Sequence, residues 1–251
     1  MLSYIRLQNF KSFSDIMFDL RGKYGIPKEF ACIYGENGVG KSNLISSLLF
    51  LRKTTESIKN QARAKEFIAE LNENEPNPRL KNTYVNHIIK SQLFEMKDLI
   101  EEYKTLDSEG TLDIEVGFFL DGVEGTYMAS FDDTKVVYET LRYTINERTG
   151  TFFELTENDS KLSRSIFLDS AYRRKLEEQI KKYWGKHTFM SILDDETFTK
   201  NGRFIASRIT KTCWLFSSGF KPIQSYADKL FQKSKNMPFR SNFSVALKRV
   251  L

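Results

Sequence analysis

Cysteine and histidine are scarce in this chain of 251 residues, which contains two of each. Cys32 and Cys213 are too few and too far apart to form a disulfide framework or a metal-binding knuckle. Each is expected to be a buried thiol of the kind common in cytosolic proteins. His87 has no second potential metal ligand near it in the sequence. The sequence therefore excludes the disulfide-rich secreted proteins and gives no sign of a histidine-based metal site.

Long hydrophobic runs are also missing, since none approaches the roughly 18–20 residues of a membrane-spanning helix. The N-terminus lacks the charged and then apolar pattern of a secretory signal. Hydrophobic residues make up 40% of the chain and charged residues 28%, values typical of a soluble globular protein. We therefore expect a cytoplasmic protein without membrane contact. The length suits one large domain or a domain with an insertion.

Acidic residues are nearly absent from the last fifth of the chain. From residue 201 onward there are ten Lys or Arg residues and the single acid Asp228, whereas the preceding residues carry 28 basic and 32 acidic side chains. Such asymmetry indicates either a surface for nucleic acid or another acidic partner, or else a solvated face or a face that covers an acidic lobe outside this chain. The sequence leaves both interpretations open.

One short motif dominates what the chain does contain. Residues Gly35–Ser42 read GENGVGKS and fill every required position of the phosphate-binding pattern G-x-x-x-x-G-K-[ST]. Glycines allow the backbone to curl its N–H groups around phosphate oxygens. Lys41 can reach the β- and γ-phosphates, and the Ser42 hydroxyl can hold Mg²⁺. The candidate binding residues are Gly35, Glu36, Asn37, Gly38, Val39, Gly40, Lys41 and Ser42.

The neighbours of this loop favour a nucleotide site over an ordinary glycine-rich turn. Such a loop must follow a buried strand and begin a helix. Phe30–Tyr34 is a short apolar run suited to a buried strand, and Asn43–Arg52 predicts a helix. One face of that helix is expected to be apolar, because apolar residues recur at helical spacing. These residues are Leu44, Leu48 and Leu51, with Ile45 and Leu49 beside them.

The remaining pattern predicts strands, then helices, then strands and helices again. Residues 2–10 and 14–20 alternate in polarity and predict an antiparallel pair. Residues 62–71 and 85–103 have helical periodicity, with Pro76 and Pro78 between them. Residues 111–156 predict an antiparallel meander of about four strands. Helical patterns return over 172–184, 204–216 and 226–231.

Two motifs together carry a family resemblance. Ile5–Phe13 reads IRLQNFKSF, and GENGVGKSN follows roughly twenty residues later. This order resembles the N-terminal lobe of ABC-type ATPase heads, and the SMC, RecF and OLD-nuclease-like ATPases are most similar in pattern. Asn37 and Asn43 strengthen the match, since this group often has asparagine at these places. Both motifs lie within about fifty residues, and weaker similarity continues to about residue 155.

The resemblance implies an α/β fold of the P-loop NTPase type with an antiparallel β subdomain. It implies an ATP-binding lobe of residues 1–55 and 107–156, a helical insertion over 56–106, and a mainly helical segment over 157–251. It adds Asn43, and on the early hairpin Lys11 and Ser12, to the residues near the nucleotide. It further implies ATP and Mg²⁺ as ligands and head-to-head dimerisation or a higher oligomer. DNA or a partner nuclease in defence against phage is the implied target.

A catalytic residue cannot be identified from the sequence. The segment Phe189–Glu196 ends in acidic residues, as a Walker B strand does. Ser191 interrupts its apolar run, however, and neither a signature motif before it nor a later histidine accompanies it, so we reject this interpretation. The chain is then expected to hydrolyse ATP poorly unless a longer protein or another chain supplies those motifs.

Two other functions remain open. A small-molecule kinase or GTPase would share the phosphate loop, but the sequence has no N-K-x-D motif and no cluster of arginines near the loop. A nucleic-acid-binding or scaffold module with a mainly structural loop would explain the basic end of the chain.

Overall fold

A computed structural model describes residues 1–28, 31, 33–74, 77–120, 122–145, 147–164, 167 and 169–195. The predicted helices over 204–216 and 226–231, the basic end from residue 201 and Cys213 lie outside these residues, as does Cys32.

Seven strands form one sheet in which every neighbouring pair is antiparallel, in the order β2-β1-β3-β4-β5-β6-β7. The strands are β1 (Leu2–Phe10), β2 (Phe13–Asp19), β3 (Leu112–Leu120), β4 (Val123–Phe131), β5 (Val136–Ile145), β6 (Arg148–Thr156) and β7 (Ser160–Leu162). The predicted N-terminal pair and the predicted meander are both confirmed. They belong to a single sheet, because β1 pairs with β3 across the helices that separate them in sequence.

Alternation along the strands separates a buried face of the sheet from a polar one. Ile5, Val116, Tyr127, Leu141 and Phe153 pair in turn across five strands, and each is almost fully buried. The opposite face carries polar side chains, which include an ion pair between Arg6 and Asp15. Period-two alternation is the pattern of a sheet covered on one face only.

Helix α1 (Lys41–Thr55) covers part of the buried face. Its Phe50 ring lies 5.8 Å from the ring of Phe10 on β1 and 5.0 Å from that of Phe131 on β4, in edge-to-face geometry. Aromatic pairs in this arrangement add stability beyond the area they bury. The phosphate-loop helix is therefore fixed to the sheet at its middle.

Three helices connect α1 with β3: α2 (Ser57–Asn74), α3 (Pro78–Gln92) and α4 (Met96–Tyr103). The two regions predicted to be helical are confirmed, but the second one is two helices rather than one. Helix α3 ends before Leu93, and a capping box of Glu95 and Asp98 starts α4. The boundaries of the insertion and of the ATP-binding lobe stay predictions.

Helices α5 (Ser170–Tyr183) and α6 (Phe189–Asp195) follow the sheet. The predicted helix over 172–184 is thus confirmed. Segment 189–195 is helical, with Phe189 stacked edge-to-face on Phe153 at 4.8 Å. A Walker B segment is a strand, so the helix agrees with our rejection of that interpretation.

A fully buried carboxylate joins α6 to the sheet. Oε1 of Glu139 accepts hydrogen bonds from the Tyr127 hydroxyl and the Met190 N–H, both at 3.0 Å. Its Oε2 accepts from the Trp184 indole N–H at 3.1 Å and from the Phe189 N–H at 2.5 Å. Burial raises the pKa of Glu139 to about 7, although these four donors favour the charged form. The polarity pattern of β5 gave no sign that this glutamate would lie in the core.

A second set of buried polar contacts joins α6 to α1 and α2. The hydroxyl of Thr188 donates to the carbonyl of Thr54 near the end of α1 at 2.9 Å. Ser57, at the start of α2, lies 2.9 Å from Nδ1 of His187 and donates to the Ser191 hydroxyl at 3.2 Å. Together with Glu139, these bonds connect the sheet and three helices through residues 184–191.

Candidate functional site

The segment before the phosphate loop differs from the prediction. Ala31, Ile33 and Tyr34 lie outside helices and strands, and 90% of the Tyr34 surface is exposed. A buried strand at these three residues is therefore wrong, while Phe30 and Cys32 lie outside the described residues. A buried strand requires hydrogen-bonded neighbours. Every strand in the described part of the chain pairs within the antiparallel sheet, which does not include this segment.

The phosphate loop itself has the backbone conformation that its glycines permit. Gly38 and Gly40 have φ values of 93° and 95°, in the left-handed region that side chains disfavour. Gly40 is the N-cap of α1 and brings no capping side chain. The first N–H groups of a helix lack partners within the helix and attract anions. The loop thus leads directly into a helix N-terminus suited to phosphate.

Lys41 folds back across this loop. Its ammonium group donates hydrogen bonds to the carbonyl oxygens of Gly35 at 2.7 Å and Glu36 at 2.6 Å. An ammonium has three donors, so one is left for a phosphate oxygen. The lysine predicted to bind phosphate therefore lies at the loop that contains the backbone donors.

The other predicted loop residues are open to solvent. Asn37, Val39 and Ser42 are exposed, as is Glu36. Ser42 occupies the second position of α1, beside Lys41. Its hydroxyl is a suitable oxygen ligand for Mg²⁺, and this role stays a prediction. Among the described residues, no group of three or more His, Cys, Asp or Glu side chains could hold a metal ion.

The early hairpin lies against the loop, but its two candidate residues differ in surroundings. The Asn43 amide donates to the Ser12 hydroxyl at 2.7 Å, which joins the hairpin turn to α1. The Lys11 ammonium instead lies 4.6 Å from the centre of the Tyr103 ring, in a cation–π contact. The structure thus brings Ser12 and Asn43 together at the loop and places the Lys11 side chain over α4. Their contact with nucleotide stays a prediction.

Sequence reasoning missed that the Phe13 ring packs against the loop at Gly40. A Cβ atom added at Gly40 would lie 2.6 Å and 2.7 Å from two atoms of the Phe13 ring. Phe13 belongs to the NFKSF stretch, so the motif contained the residue but gave no indication of its role. Only the fold shows that the hairpin and the loop meet there.

The predicted apolar face of α1 is buried only in part. Leu44 and Leu51 are buried and Leu48 is partly buried. Ile45 and Leu49 are 53% and 41% exposed. The apolar residues span more than half of the helix circumference, whereas the sheet covers only one side of it. The second apolar face of α1 therefore lies open beside the phosphate loop.

Two clefts elsewhere on the surface are unsuited to phosphate. One of about 330 Å³ lies over the polar face of the sheet and is lined by Glu115 and Glu124 as well as Arg142. Its two carboxylates would repel a polyphosphate. The other, of about 240 Å³, lies between α1, α3 and α4 and has Asp98 and Glu102 in its lining. Neither offers a glycine-rich loop of backbone donors.

No helix in the described part of the chain is both long enough and apolar enough to cross a membrane.

Comparison with known proteins shows similarity to a family model and to a curated relative. A family model described as AAA ATPase domain matches residues 1–236, a range that includes the phosphate loop. A chromosome partition protein Smc of Methanocaldococcus jannaschii is 43% identical over 61 residues, which are 24% of this chain and 5% of that protein. Both similarities support an AAA- and SMC-like ATPase. The narrower likeness to RecF and OLD-like ATPases and to an N-terminal lobe stays a prediction.

Proposed function

The chain belongs to the AAA ATPase domain family, and from this premise we propose that it binds ATP with Mg²⁺ at Gly35–Ser42. The observation that carries the proposal is the position of Lys41, whose ammonium lies across a loop with left-handed Gly38 and Gly40 at the start of α1. A cation, curled backbone amides and a helix N-terminus at one place favour a polyphosphate over other ligands.

In this proposal each residue of the loop contacts a different part of the ATP–Mg²⁺ ligand. Lys41 contacts the β- and γ-phosphates, and the first-turn amides of α1 bind phosphate oxygens. The Ser42 hydroxyl holds Mg²⁺, which neutralises phosphate charge. Asn43 and Ser12, joined by their hydrogen bond, line the side of the loop that faces the hairpin.

We further propose that hydrolysis needs a second lobe. Segment 189–195, which ends in acidic residues as a Walker B strand does, is a helix. Ile45 and Leu49 form an open apolar face on α1, and the exposed Val39 lies in the loop beside it. Exposed apolar residues grouped in this way are typical of a docking surface. An apolar lobe that carries the Walker B and signature motifs fits this face, and head-to-head dimerisation sandwiches the nucleotide.

The biological target is DNA or a partner effector such as a nuclease. The family resemblance of the two motifs supports a DNA-related or anti-phage role, and a chromosome partition protein shares similarity with part of this chain. The chain covers 5% of that relative's length, so its activity is a guide to the class of target only.

Calorimetric titration of the 251-residue chain tests the site. We expect binding of ATP in the presence of Mg²⁺ and much weaker binding of AMP, because AMP lacks the β- and γ-phosphates that Lys41 contacts. We also expect turnover close to the uncatalysed rate. Equal affinity for AMP and ATP would contradict the proposed site. Clear turnover that Lys41→Ala abolishes would contradict only the need for a second lobe.

The alternative is a nucleic-acid-binding or scaffold module in which the loop is structural. The ten basic residues after residue 200 motivate it, although they lie outside the described residues. DNA binding that weakens steeply with salt, together with no response to ATP, would favour this alternative. DNA binding at low salt that ATP changes would support the ATPase instead.

A further inference from the structure

We infer that Phe13 is a positioning residue that sets the conformation of the phosphate loop, an inference that rests on the proposed function. Its ring occupies the space that a side chain at residue 40 would need: a Cβ atom at Gly40 would lie 2.6 Å from Cε1 and 2.7 Å from Cζ. Contacts below 3.0 Å essentially never occur for a Cβ atom. The hairpin therefore touches the loop backbone itself.

This contact is specific to one of the two left-handed glycines. Gly38 has nearly the same φ as Gly40, 93° against 95°, but a Cβ atom there meets nothing within 4 Å. Gly38 thus needs glycine for its backbone conformation alone. Gly40 needs it for both the conformation and the approach of Phe13.

The position of Gly40 determines the first turn of α1. The Gly40 carbonyl accepts the amide hydrogen bonds of Asn43 at 2.9 Å and Leu44 at 3.1 Å, which begin the helix. The N-terminal amides of that turn are the proposed phosphate donors. Because the Phe13 ring packs against Gly40, it fixes both the position and the orientation of those backbone donors.

Phe13 is itself firmly held, as a positioning residue must be. It is buried, and its ring stacks edge-to-face on Phe18 of the same strand at 5.7 Å. The adjacent Ser12 accepts the hydrogen bond from Asn43. The hairpin therefore contacts the chain on both sides of Lys41, at Gly40 and at Asn43. Donors that are already held in position bind an anion more tightly, because less conformational entropy is lost on binding.

A double-mutant cycle tests the inference, with Mg²⁺–ATP affinity as the measurement. Phe13→Ala and Gly40→Ala are each expected to weaken ATP binding at least tenfold. The methyl group of Gly40→Ala meets the ring that Phe13→Ala removes, so the double variant should bind more tightly than the product of the two effects predicts. Phe13→Ala combined with Gly38→Ala should show no such coupling, since Gly38 does not meet the ring.

Two measurements separate positioning from general destabilisation. Phe152→Ala removes a buried ring stacked on Tyr143 at 4.8 Å, on a strand four positions from β1, and should leave ATP affinity within twofold of wild type. Phe13→Ala should also speed hydrogen exchange of the Asn43 and Leu44 amides without nucleotide. A multiplicative Phe13–Gly40 cycle, or unchanged exchange, would overturn the positioning role alone. Failure of the wild-type chain to bind ATP would overturn both this role and the proposed function.

Discussion

Replacement of Lys41 by alanine should greatly weaken the binding of ATP while leaving the fold of the chain intact. We expect the dissociation constant for Mg²⁺–ATP to rise by about 10- to 100-fold, since a hydrogen bond to a charged group contributes about 1.5–3 kcal/mol. Titration calorimetry measures this change. The rise in melting temperature that saturating ATP gives the wild type should disappear in the variant.

The unliganded stability of the Lys41 variant should change little. Within the described part of the chain the ammonium donates to the Gly35 and Glu36 carbonyls, which belong to an exposed loop where water can replace it. A reduced melting temperature without ATP would indicate that Lys41 acts through the fold rather than through the ligand.

Lys53→Ala is the matched control on the same helix. Lys53 pairs with Glu102 at 3.7 Å and lies over the rings of Phe94 and Tyr103, away from the phosphate loop. Its removal deletes the same charge from α1 but none of the loop contacts. ATP affinity within about twofold of wild type is expected, because Lys53 contacts Glu102, Phe94 and Tyr103 and not the phosphate loop. An equal loss of ATP affinity in both variants would mean that ATP is attracted by the net charge of the protein and not by a specific site.

The strands could be predicted because their chemistry is local. Period-two alternation in residues 2–10 and 111–156 identified β1, β3 and the rest of the meander. Their register follows from the need to bury one face. The phosphate loop was equally visible, since its residue types each serve one contact with phosphate. Local patterns do not show which distant segments of the chain meet. The pairing of β1 with β3 was therefore not predicted.

Three features that local patterns did not reveal have that same physical origin. The apolar surface of α1 exceeds what the sheet covers, so Ile45 and Leu49 stay exposed. The run Phe30–Tyr34 resembles a buried strand, but its described residues have no strand to pair with. The contact of Phe13 with Gly40 joins residues 27 positions apart, and neither residue alone indicates it. Each outcome depends on long-range packing.

These differences bear on function, because two of them concern residues next to the phosphate loop in the sequence. The open face of α1 and the segment 31–34 both adjoin the phosphate loop, and both are more apolar than an exposed site requires. The described contacts hold the loop from the hairpin side through Phe13 and Ser12. A second lobe on the open side of the loop would enclose the nucleotide, as the proposed two-lobe site requires.

Removal of the buried carboxylate of Glu139 should cause the largest loss of stability. Glu139→Ala removes a fully buried carboxylate that accepts hydrogen bonds from the N–H groups of Phe189 and Met190, the Trp184 indole and the Tyr127 hydroxyl. Each unpaired buried donor costs about 1–3 kcal/mol. We expect a total near 3–5 kcal/mol, since local rearrangement will satisfy some of them. Circular dichroism should record a melting temperature lower by about 10 °C or more.

Glu154→Ala is the control for this loss. Glu154 lies on the neighbouring strand β6 and accepts from the Tyr138 hydroxyl at 3.1 Å and from Lys161 at 3.5 Å, but its side chain is 34% exposed. Water can satisfy the donors that this variant frees, so a loss below about 1 kcal/mol is expected. Equal melting temperatures for the two variants would show that the Glu139 bonds contribute no more than surface bonds do.

The pH dependence of stability should reveal the charge state of Glu139. Burial raises its pKa to about 7 in the folded protein, from 4.5 for an ordinary glutamate. The folded state therefore binds this proton more tightly than the unfolded state does, and the contribution of Glu139 to the free energy of unfolding falls as pH rises from about 4.5 to about 7. Glu139→Gln cannot titrate, so the difference in unfolding free energy between wild type and Glu139→Gln should shrink over this range in urea titrations. A constant difference would mean that the four donors cancel the effect of burial and hold the carboxylate charged.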